Sequence, residues 1–303
     1  GAFVAAFGQS NLGDVSPNTK GASCPDGTPC DFYNSTCGNP PRNQGCIATG
    51  PGVDQYDSMR IIGQMQQEAA MDLYNTATDV LTNEGVDYRY QYFDMQQINV
   101  SAEYTSTGQP GQTCVAAIGY SFAAGTTDGP GAFDFHQHTT SPNPFWAWVT
   151  SFLAVPTQEQ IDCQAPKPIL IDVGVMKPIE WSSYILPEQV IRIGNLWILG
   201  VPGEWSTMAG RRTRGLVKQI LQSKGEWYDN SHVVIAGLSN SYSHYITTYE
   251  EYQHQRYEGA STLFGPHTLA AHMQNFAGLV NAIVDDQPVP IGPLPHDGRN
   301  ETR

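Results

Sequence analysis

The segment 189–284 constrains the fold more than any other part of the sequence, because strand-like and helix-like patterns alternate along it. Residues 189–201 form an apolar run with Gly194-Asn195 as a plausible hairpin turn, which predicts a buried strand pair or one long strand. Next come a predicted helix, strand and helix, at 206–221, 232–238 and 268–284. Strands that alternate with helices indicate one α/β domain, a layered arrangement of sheet and helices.

The remaining segments add weaker elements to this domain. Residues 88–100 and 168–175 are strand-like, and the apolar run 3–7, which Gly8 ends, predicts a buried strand. From Asp54, an amphipathic helix is predicted by an apolar stripe at spacings of three and four, whose methionines we expect in the core. That stripe comprises Ile62, Met65, Ala69 and Leu73. The Pro-rich tail 285–303 is typical of a linker or a frayed end.

The charge balance and hydropathy limit the classes of partner. Among 303 residues, 29 are acidic and 15 basic, for a formal net charge of −14, which argues against nucleic acid and anionic membranes as electrostatic partners. No stretch approaches the roughly 20 apolar residues of a membrane-spanning helix, so no transmembrane segment is expected. The first residues lack a signal-peptide pattern, which predicts a mature or excised chain.

The cysteines and sequons indicate a secreted or lumenal protein. Four of the six cysteines lie in the Gly/Pro/Asn-rich loop 20–53, none in a Cys-x-x-Cys pair, and four clustered cysteines allow three pairings that spacing alone leaves open. An even cysteine count together with Asn-x-Ser/Thr sequons is typical of an oxidising, glycosylating route. The predicted glycosylation sites are Asn34, Asn99 and Asn300.

Ser16, in the stretch "NLGDVSPN", is either a nucleophile or a turn residue. The Gly-x-Ser-x-Gly elbow of α/β-hydrolases is absent there. Pro17 favours an extended conformation at Ser16, and Asp14 and Asn18 can hold the loop through side-chain to backbone hydrogen bonds. Such a loop would present the hydroxyl rigidly, but many Ser-Pro loops only turn the chain.

Two further segments carry groups that could bind a metal. In Phe135-His136-Gln137-His138, an extended strand would put both imidazoles on one face, with Asp134 available to orient one of them; the alternative is two surface histidines in a loop. Glu204 follows an apolar strand and precedes a helix, where α/β sheets place ligands, although a carboxylate there also simply favours a helix N-terminus.

Five tyrosines follow the strand that ends near Leu238. They are Tyr242, Tyr245, Tyr249, Tyr252 and Tyr257. A packed aromatic cluster is the usual explanation, while phenols at a strand exit can also stabilise an oxyanion or bind a metal.

Four motifs together resemble the neutral ceramidase family, in the same order and over nearly the whole chain. They are "NLGDVSPNTKGASC", "GYSFAAGTTDGPG", "PGEWSTMAGRR" and "HYITTYEEYQHQRYEGASTLFGPHTLAA". The resemblance implies a zinc-dependent amidase that hydrolyses N-acylsphingosine (ceramide) to sphingosine and a fatty acid. It implies that Ser16 is the nucleophile, that Glu204 and Tyr245 are zinc ligands, and that Tyr257 stabilises the oxyanion. A zinc-bound hydroxide could take the serine proton and later protonate the amine.

The resemblance also implies that the zinc site is incomplete here. The family's two zinc-binding histidines precede the serine loop, in sequence that this chain does not contain, and its C-terminal immunoglobulin-like domain would follow the tail. We therefore expect residues 1–284 to be the C-terminal portion of a ceramidase catalytic domain. The layered fold would be incomplete in this chain, and the chain alone would be inactive. A companion N-terminal segment would complete both the fold and the zinc site. The family has no metal ligands where His136 and His138 lie.

The resemblance favours three disulfides, which are Cys24–Cys37, Cys30–Cys46 and Cys114–Cys163. The first two would steady the loop that follows Ser16. Two other functions stay open at this point. One is a secreted, disulfide-stapled lipid-binding or structural chain without catalysis, and the other is a metallohydrolase acting on another amide.

Overall fold

The computed structural model describes residues 4–81, 85–176 and 181–296, in which helices and strands mix along the whole chain. The strands are β1 (Ala22–Ser23), β2 (Ile47–Ala48), β3 (Val86–Asp94), β4 (Asn99–Val100), β5 (Gly111–Gln112), β6 (Ile118–Gly119), β7 (Ile169–Ile171), β8 (Ile185–Ile193), β9 (Leu196–Gly200), β10 (Glu204–Trp205), β11 (His232–Ala236) and β12 (Tyr245–Ile246). The helices are α1 (Gln55–Thr76), α2 (Tyr120–Ala123), α3 (Pro144–Thr150), α4 (Gln158–Gln164), α5 (Thr207–Ser223), α6 (Tyr249–His254), α7 (Tyr257–Ala260) and α8 (Thr268–Val284).

A four-stranded sheet in the order β11-β9-β8-β3 carries the largest hydrophobic core. β8 pairs antiparallel with β3 and with β9, and β9 pairs parallel with β11. The predicted hairpin is confirmed, since Gly194 between β8 and β9 has φ of 58°, a conformation that glycine adopts without steric cost. The predicted helices at 206–221 and 268–284 and the strand at 232–238 are confirmed within two residues at each end.

Helices α5 and α8 contact each other, α5 contacts β11, and α8 contacts β3 and β8. Ser206 caps α5, because its Oγ accepts a hydrogen bond from the backbone N–H of Ala209 at 3.1 Å. Trp197 of β9 and Trp205 of β10 are fully buried between these elements. The chain is therefore a mixed α/β structure, and its largest core contains residues of the four-stranded sheet, of β10 and of helices α5 and α8.

Three predicted strands differ from the structure. Residues 4–12 form no strand, and Val4 and Phe7 are exposed, so the predicted buried strand at 3–7 is wrong where it is described; Phe3 lies outside the described residues. Strand 88–100 is interrupted after Asp94, whose carboxylate accepts a hydrogen bond from the Gln96 N–H and turns the chain. Strand 168–175 shortens to β7.

Helix α1 forms where predicted, but its apolar stripe is not in a core. Asp54 caps the helix by accepting a hydrogen bond from the Asp57 N–H at 2.8 Å. Met65 is 61% exposed and Leu73 57%, so the expected core packing of these methionines is wrong for the described structure. In that same part of the chain, no helix is long and apolar enough to cross a membrane.

The three predicted disulfides are confirmed as Cys24–Cys37, Cys30–Cys46 and Cys114–Cys163. The first two close the loop that pairs β1 with β2. Beyond α8, residues 287–296 form neither helix nor strand, yet the Tyr92 N–H donates to the Ile291 carbonyl at 2.9 Å, so the tail runs beside β3. The sequon at Asn300 lies outside the described residues.

Lys167 is buried to 2% exposure between two loops of the core. Its Nζ donates to the carbonyl oxygens of Ala117 at 2.8 Å and Thr262 at 2.6 Å, and it lies 5.2 Å from the centre of the Tyr252 ring. Burial lowers the pKa of Lys167 well below its usual value, because the charged form loses its hydration.

This lowered pKa predicts a pH dependence of stability. Between the folded-state pKa of Lys167 and its unfolded value of about 10.4, the unfolded chain binds the extra proton. The free energy of unfolding should therefore rise with pH by up to about 1.4 kcal/mol per pH unit. Urea unfolding at a series of pH values below about 10 should show stability that rises more steeply with pH in the wild type than in Lys167→Met. The exposed control Lys218→Met should keep the steeper slope, and equal slopes in all three proteins would contradict the prediction.

Candidate active site

The two-stranded parallel sheet of β10 and β12 places two predicted site residues side by side. Glu204 is the register partner of Tyr245, and Trp205 that of Ile246. The backbone N–H of Glu204 donates to the His244 carbonyl at 2.8 Å, which fixes the pairing. Because register partners on neighbouring strands point to the same face, the Glu204 carboxylate and the Tyr245 phenol lie together.

The loop that carries Ser16 is attached to the start of this same sheet. The Gly13 N–H donates to the Trp205 carbonyl at 2.8 Å, and a Cβ on Gly13 would lie 2.6 Å from the carbonyl oxygen of Glu204. Only glycine allows so close an approach of two backbones. One carboxylate oxygen of Asp14 accepts from the N–H of Thr207 at 2.7 Å and from its hydroxyl at 2.8 Å. The predicted anchoring by Asp14 is present, with its partner in α5.

The Ser16 hydroxyl is held by polar partners on both sides. Its Oγ donates to the Asp128 carboxylate at 3.0 Å and accepts from the Asn18 N–H at 3.1 Å. The Asn18 side-chain amide also donates to Asp128. Asp128 was not among the predicted site residues, although it is an acidic residue before a glycine in the motif "GYSFAAGTTDGPG". The contact spans 112 residues, and residue patterns alone do not show it.

Tyr257 opens helix α7 and faces Tyr245. The two rings meet edge to face with centroids 5.3 Å apart, and the Tyr257 ring stacks on Phe122 at 5.6 Å. The Tyr257 N–H donates to the Gln137 side-chain oxygen at 2.7 Å. Burial, and next the Glu204 charge, raise the pKa of Tyr257, so its hydroxyl stays protonated at neutral pH. The phenol is thus available as a hydrogen-bond donor.

Tyr242 adds a partner to the Glu204 carboxylate that the sequence analysis did not assign. Its hydroxyl donates to Glu204 Oε1 at 2.6 Å, and its ring lies 5.4 Å from that of His244. Burial first, and then the hydrogen bond to Glu204, raise the pKa of Tyr242. Burial and Glu204 likewise raise the pKa of Tyr245, whereas burial lowers the pKa of His244 and keeps the imidazole neutral.

One cavity of about 550 Å³ collects all four residues that the resemblance assigned. Its walls include Ser16, Glu204, Tyr245 and Tyr257. Asp128 also lines it, from a turn far from the other four in sequence. A nucleophilic hydroxyl, a carboxylate and two phenols therefore share one water-accessible space, which is the set of groups that acyl transfer from an amide requires.

The five tyrosines divide between the two roles considered for them. Tyr245 and Tyr257 line the cavity, whereas Tyr252 is fully buried and donates to the Gln164 carbonyl at 2.8 Å. Tyr249 packs against His267 at 5.5 Å between ring centroids. Tyr249 and Tyr252 are thus packing residues, whereas Tyr245 and Tyr257 face the cavity.

The donors in this cavity fit part of a zinc site. Glu204 and Tyr245 bring a carboxylate and a phenol oxygen together, and zinc takes four ligands. Among the described residues, one group of three His, Cys, Asp or Glu donors is close enough to share an ion. It consists of Cys24, Cys30 and Cys37, which are bound in disulfides. Glu204 and Tyr245 are thus two oxygen donors that could hold the zinc implied by the resemblance.

His136 and His138 lie in a loop and not on the extended strand considered for them. Residues 131–143 form no strand, so the expected extended geometry is wrong. His138 has φ of 59°, and its Nδ1 lies 2.7 Å from the His254 carbonyl. Asp134 accepts from the Trp146 indole N–H at 2.8 Å and not from a histidine. Gln137 and His138 form a turn, which breaks the alternation by which a strand would place both rings on one face.

Residues 1–274 match the family model described as neutral/alkaline non-lysosomal ceramidase, N-terminal. The chain belongs to the neutral ceramidase family. It is 52% identical to neutral ceramidase B of Dictyostelium discoideum over 301 residues, which are 98% of this chain and 41% of that protein. It is 53% identical to neutral ceramidase 1 of Arabidopsis thaliana over 301 residues, 97% of this chain and 38% of that protein.

Solved ceramidase structures share the fold. A ceramidase complexed with C2 superposes with a TM-score of 0.76 at 36% identity, over 98% of this chain and 42% of that one. Neutral ceramidase from Pseudomonas aeruginosa gives a TM-score of 0.67 at 35% identity, over 82% of this chain and 36% of that one. The chain spans about two fifths of the length of its ceramidase relatives. Its match to a model described as N-terminal does not support the prediction that it is a C-terminal portion.

Proposed function

We propose that this chain builds part of the active site of a zinc-dependent amidase that hydrolyses ceramide to sphingosine and a fatty acid. The observation that carries the proposal is the cavity in which Ser16, Glu204, Tyr245 and Tyr257 converge. Three separate segments of the chain supply these residues. Membership of the neutral ceramidase family supports the choice of substrate.

The residues of this chain suit attack on an amide. Ser16 Oγ loses its proton as it bonds to the carbonyl carbon, and the carbon–nitrogen bond then breaks. Sphingosine leaves with that proton on its amine, while the acyl group stays on Ser16 until water releases it as a fatty acid. Asp128 and Asn18 orient the hydroxyl. The Tyr257 phenol donates to the oxyanion that forms on the carbonyl oxygen. When bound, zinc would supply an activated water and polarise the carbonyl.

Glu204 and Tyr245 are the zinc ligands in this proposal. The Tyr242 hydrogen bond at 2.6 Å supports Glu204, because ligating carboxylates are usually held by such outer partners. The other two ligands would come from outside the described residues, from a companion segment of the same protein. We therefore expect this chain by itself to bind zinc weakly and to hydrolyse little ceramide.

Replacing Glu204 by Gln should lower zinc affinity by more than about tenfold, because losing even an outer partner of a ligand costs tenfold to a hundredfold. Zinc per chain is measured by atomic emission after dialysis against graded chelator, on the chain reconstituted with the companion segment. Glu250→Gln removes an exposed carboxylate bound to Arg212 and should retain zinc. Equal zinc retention by both variants would remove Glu204 from the site.

The reaction itself is tested by incubating the reconstituted protein with ceramide and with N-acyl amides that lack the sphingoid chain. Release of sphingosine and fatty acid from ceramide supports the proposal. Faster release from the other amides would make the protein a metallohydrolase of different specificity. Ceramide binding without release of either product would favour the alternative of a lipid-binding chain.

We also propose that the protein follows the secretory route and is glycosylated. The three disulfides support an oxidising compartment. Asn99 is exposed in β4, and Asn34 is half-buried with its side-chain oxygen accepting from the Thr36 hydroxyl at 2.6 Å. Asn99 is the more accessible site, so the secreted protein should carry extra mass that a glycosidase removes. The variant Asn99→Gln should lack that extra mass.

A further inference from the structure

An exposed aromatic surface surrounds α3 and the turn that follows it, outside the candidate active site. We call it the aromatic patch, and it consists of Phe145 (58% exposed), Trp148 (60%), Phe152 (73%), Leu153 (53%) and Val155 (73%). Single exposed apolar side chains are common on soluble proteins, but the rings of Phe145, Trp148 and Phe152 contact one another in a row. A contiguous exposed group of this kind marks a site of interaction.

The local structure holds these side chains outward. Asn143 caps α3 by accepting a hydrogen bond from the Phe145 N–H at 2.9 Å, and Trp146 turns inward, where its indole packs 4.9 Å from Phe135. Trp148 and Phe152 then meet edge to face, with centroids 5.2 Å apart, on the opposite side. The patch is thus anchored through Trp146 and presents its remaining rings to the solvent.

The patch is large and lies in an uncharged stretch of the chain. At roughly 200 Å² per aromatic side chain, its three exposed rings and two aliphatic side chains present on the order of 500 Å², which equals the largest apolar patches of typical monomers. Residues 135–158 contain no Asp, Glu, Lys or Arg, in a chain with 15% charged residues. Helix α1 also exposes Met65 and Leu73, but charged side chains lie between them.

We propose that the aromatic patch inserts into the surface of a zwitterionic lipid bilayer. Trp and Phe favour the bilayer interface, and none of the five side chains of the patch carries a charge that would lose its hydration on insertion. The net charge of −14 opposes binding to anionic lipids, so a phosphocholine surface complements this protein better.

The choice of a bilayer over a protein partner rests in part on the proposed function, since ceramide is a two-chain lipid that resides in membranes. The patch is also linked to the candidate site through one short segment. Trp146 of α3 packs on Phe135, and two residues later Gln137 lines the cavity and accepts from the Tyr257 N–H. Insertion of the patch would therefore hold the cavity near the source of the substrate.

Sedimentation with phosphatidylcholine vesicles tests the inference on the full chain. Wild-type protein should bind, and Trp148→Ser combined with Phe152→Ser should bind at least tenfold more weakly, because two exposed rings leave the bilayer. The control Met65→Ser combined with Leu73→Ser removes side chains of similar exposure from α1 and should bind like the wild type. Circular dichroism and melting temperature should be unchanged in both double variants, since all four side chains are exposed.

The result that would overturn the inference is equal vesicle binding by wild type and the patch variant, or binding that requires phosphatidylserine. Loss of a dimer or of binding to the companion segment in the patch variant, without vesicle binding by the wild type, would assign the patch to a protein contact instead. Turnover of short-chain ceramide in detergent, measured on the chain reconstituted with its companion segment, reports the proposed function separately. A patch variant that keeps this turnover but loses vesicle binding supports the inference, whereas wild-type vesicle binding without any turnover would contradict only the proposed function.

Discussion

Replacing Ser16 by Ala should lower the rate constant for ceramide hydrolysis by at least about a thousandfold while ceramide binding is retained. The hydroxyl is the group that would form the acyl bond, and alanine offers no oxygen in its place. Apart from its hydroxyl contacts with Asp128 and Asn18, the Ser16 side chain is exposed, so its removal should leave the fold unchanged. Release of fatty acid and equilibrium binding of ceramide are measured on the reconstituted protein.

Ser10→Ala is the matched control, because Ser10 is an exposed serine of the same N-terminal stretch that does not line the cavity. It should retain wild-type turnover. Unchanged turnover in Ser16→Ala would remove this serine from the mechanism and favour water as the direct nucleophile. A wild-type protein that binds ceramide and releases no product would instead place the chain in the lipid-binding class.

Replacing Tyr257 by Phe should lower kcat by about a hundredfold to a thousandfold, as expected for the loss of one oxyanion donor. The ring contacts with Phe122 and Tyr245 remain in this variant, so KM should change little. The physical reason is that the phenol strengthens its hydrogen bond only when negative charge develops on the carbonyl oxygen. Steady-state kinetics that separate kcat from KM measure the effect.

Tyr249→Phe provides the comparison for this second variant. Tyr249 belongs to the same motif but packs against His267, away from the cavity that contains Ser16. Its kcat should equal that of the wild type. A Tyr257 variant with raised KM and normal kcat would show that this phenol binds the ground state and not the oxyanion.

Local patterns predicted those parts of the fold that depend on local interactions. The β8–β9 hairpin follows from an apolar run with a Gly-Asn turn, and α5 forms where the segment 206–221 was predicted as a helix. Burial is a different property, because it depends on what packs against an element. Helix α1 has a regular stripe, yet Met65 and Leu73 face solvent in the described structure, and periodicity could not show this.

In the candidate site, too, local features could be predicted from the sequence, whereas tertiary contacts could not. Glu204 could be placed at a strand-to-helix junction from the sequence, and the resemblance supplied its role together with that of Tyr245. The contacts of Asp128 with Ser16 and of Tyr242 with Glu204 cross 112 and 38 residues of chain. Such contacts depend on tertiary docking of loops, which has no periodic signature.

The close contact between Gly13 and Glu204 has a consequence for redesigning the protein. Here two backbones meet without an intervening side chain, so the spacing between the serine loop and β10 is independent of which side chains line the cavity. The walls could be rebuilt for a shorter or bulkier amide while that spacing is preserved. Conversely, one added methyl group at Gly13 would move the nucleophile away from the carboxylate without altering either reactive group.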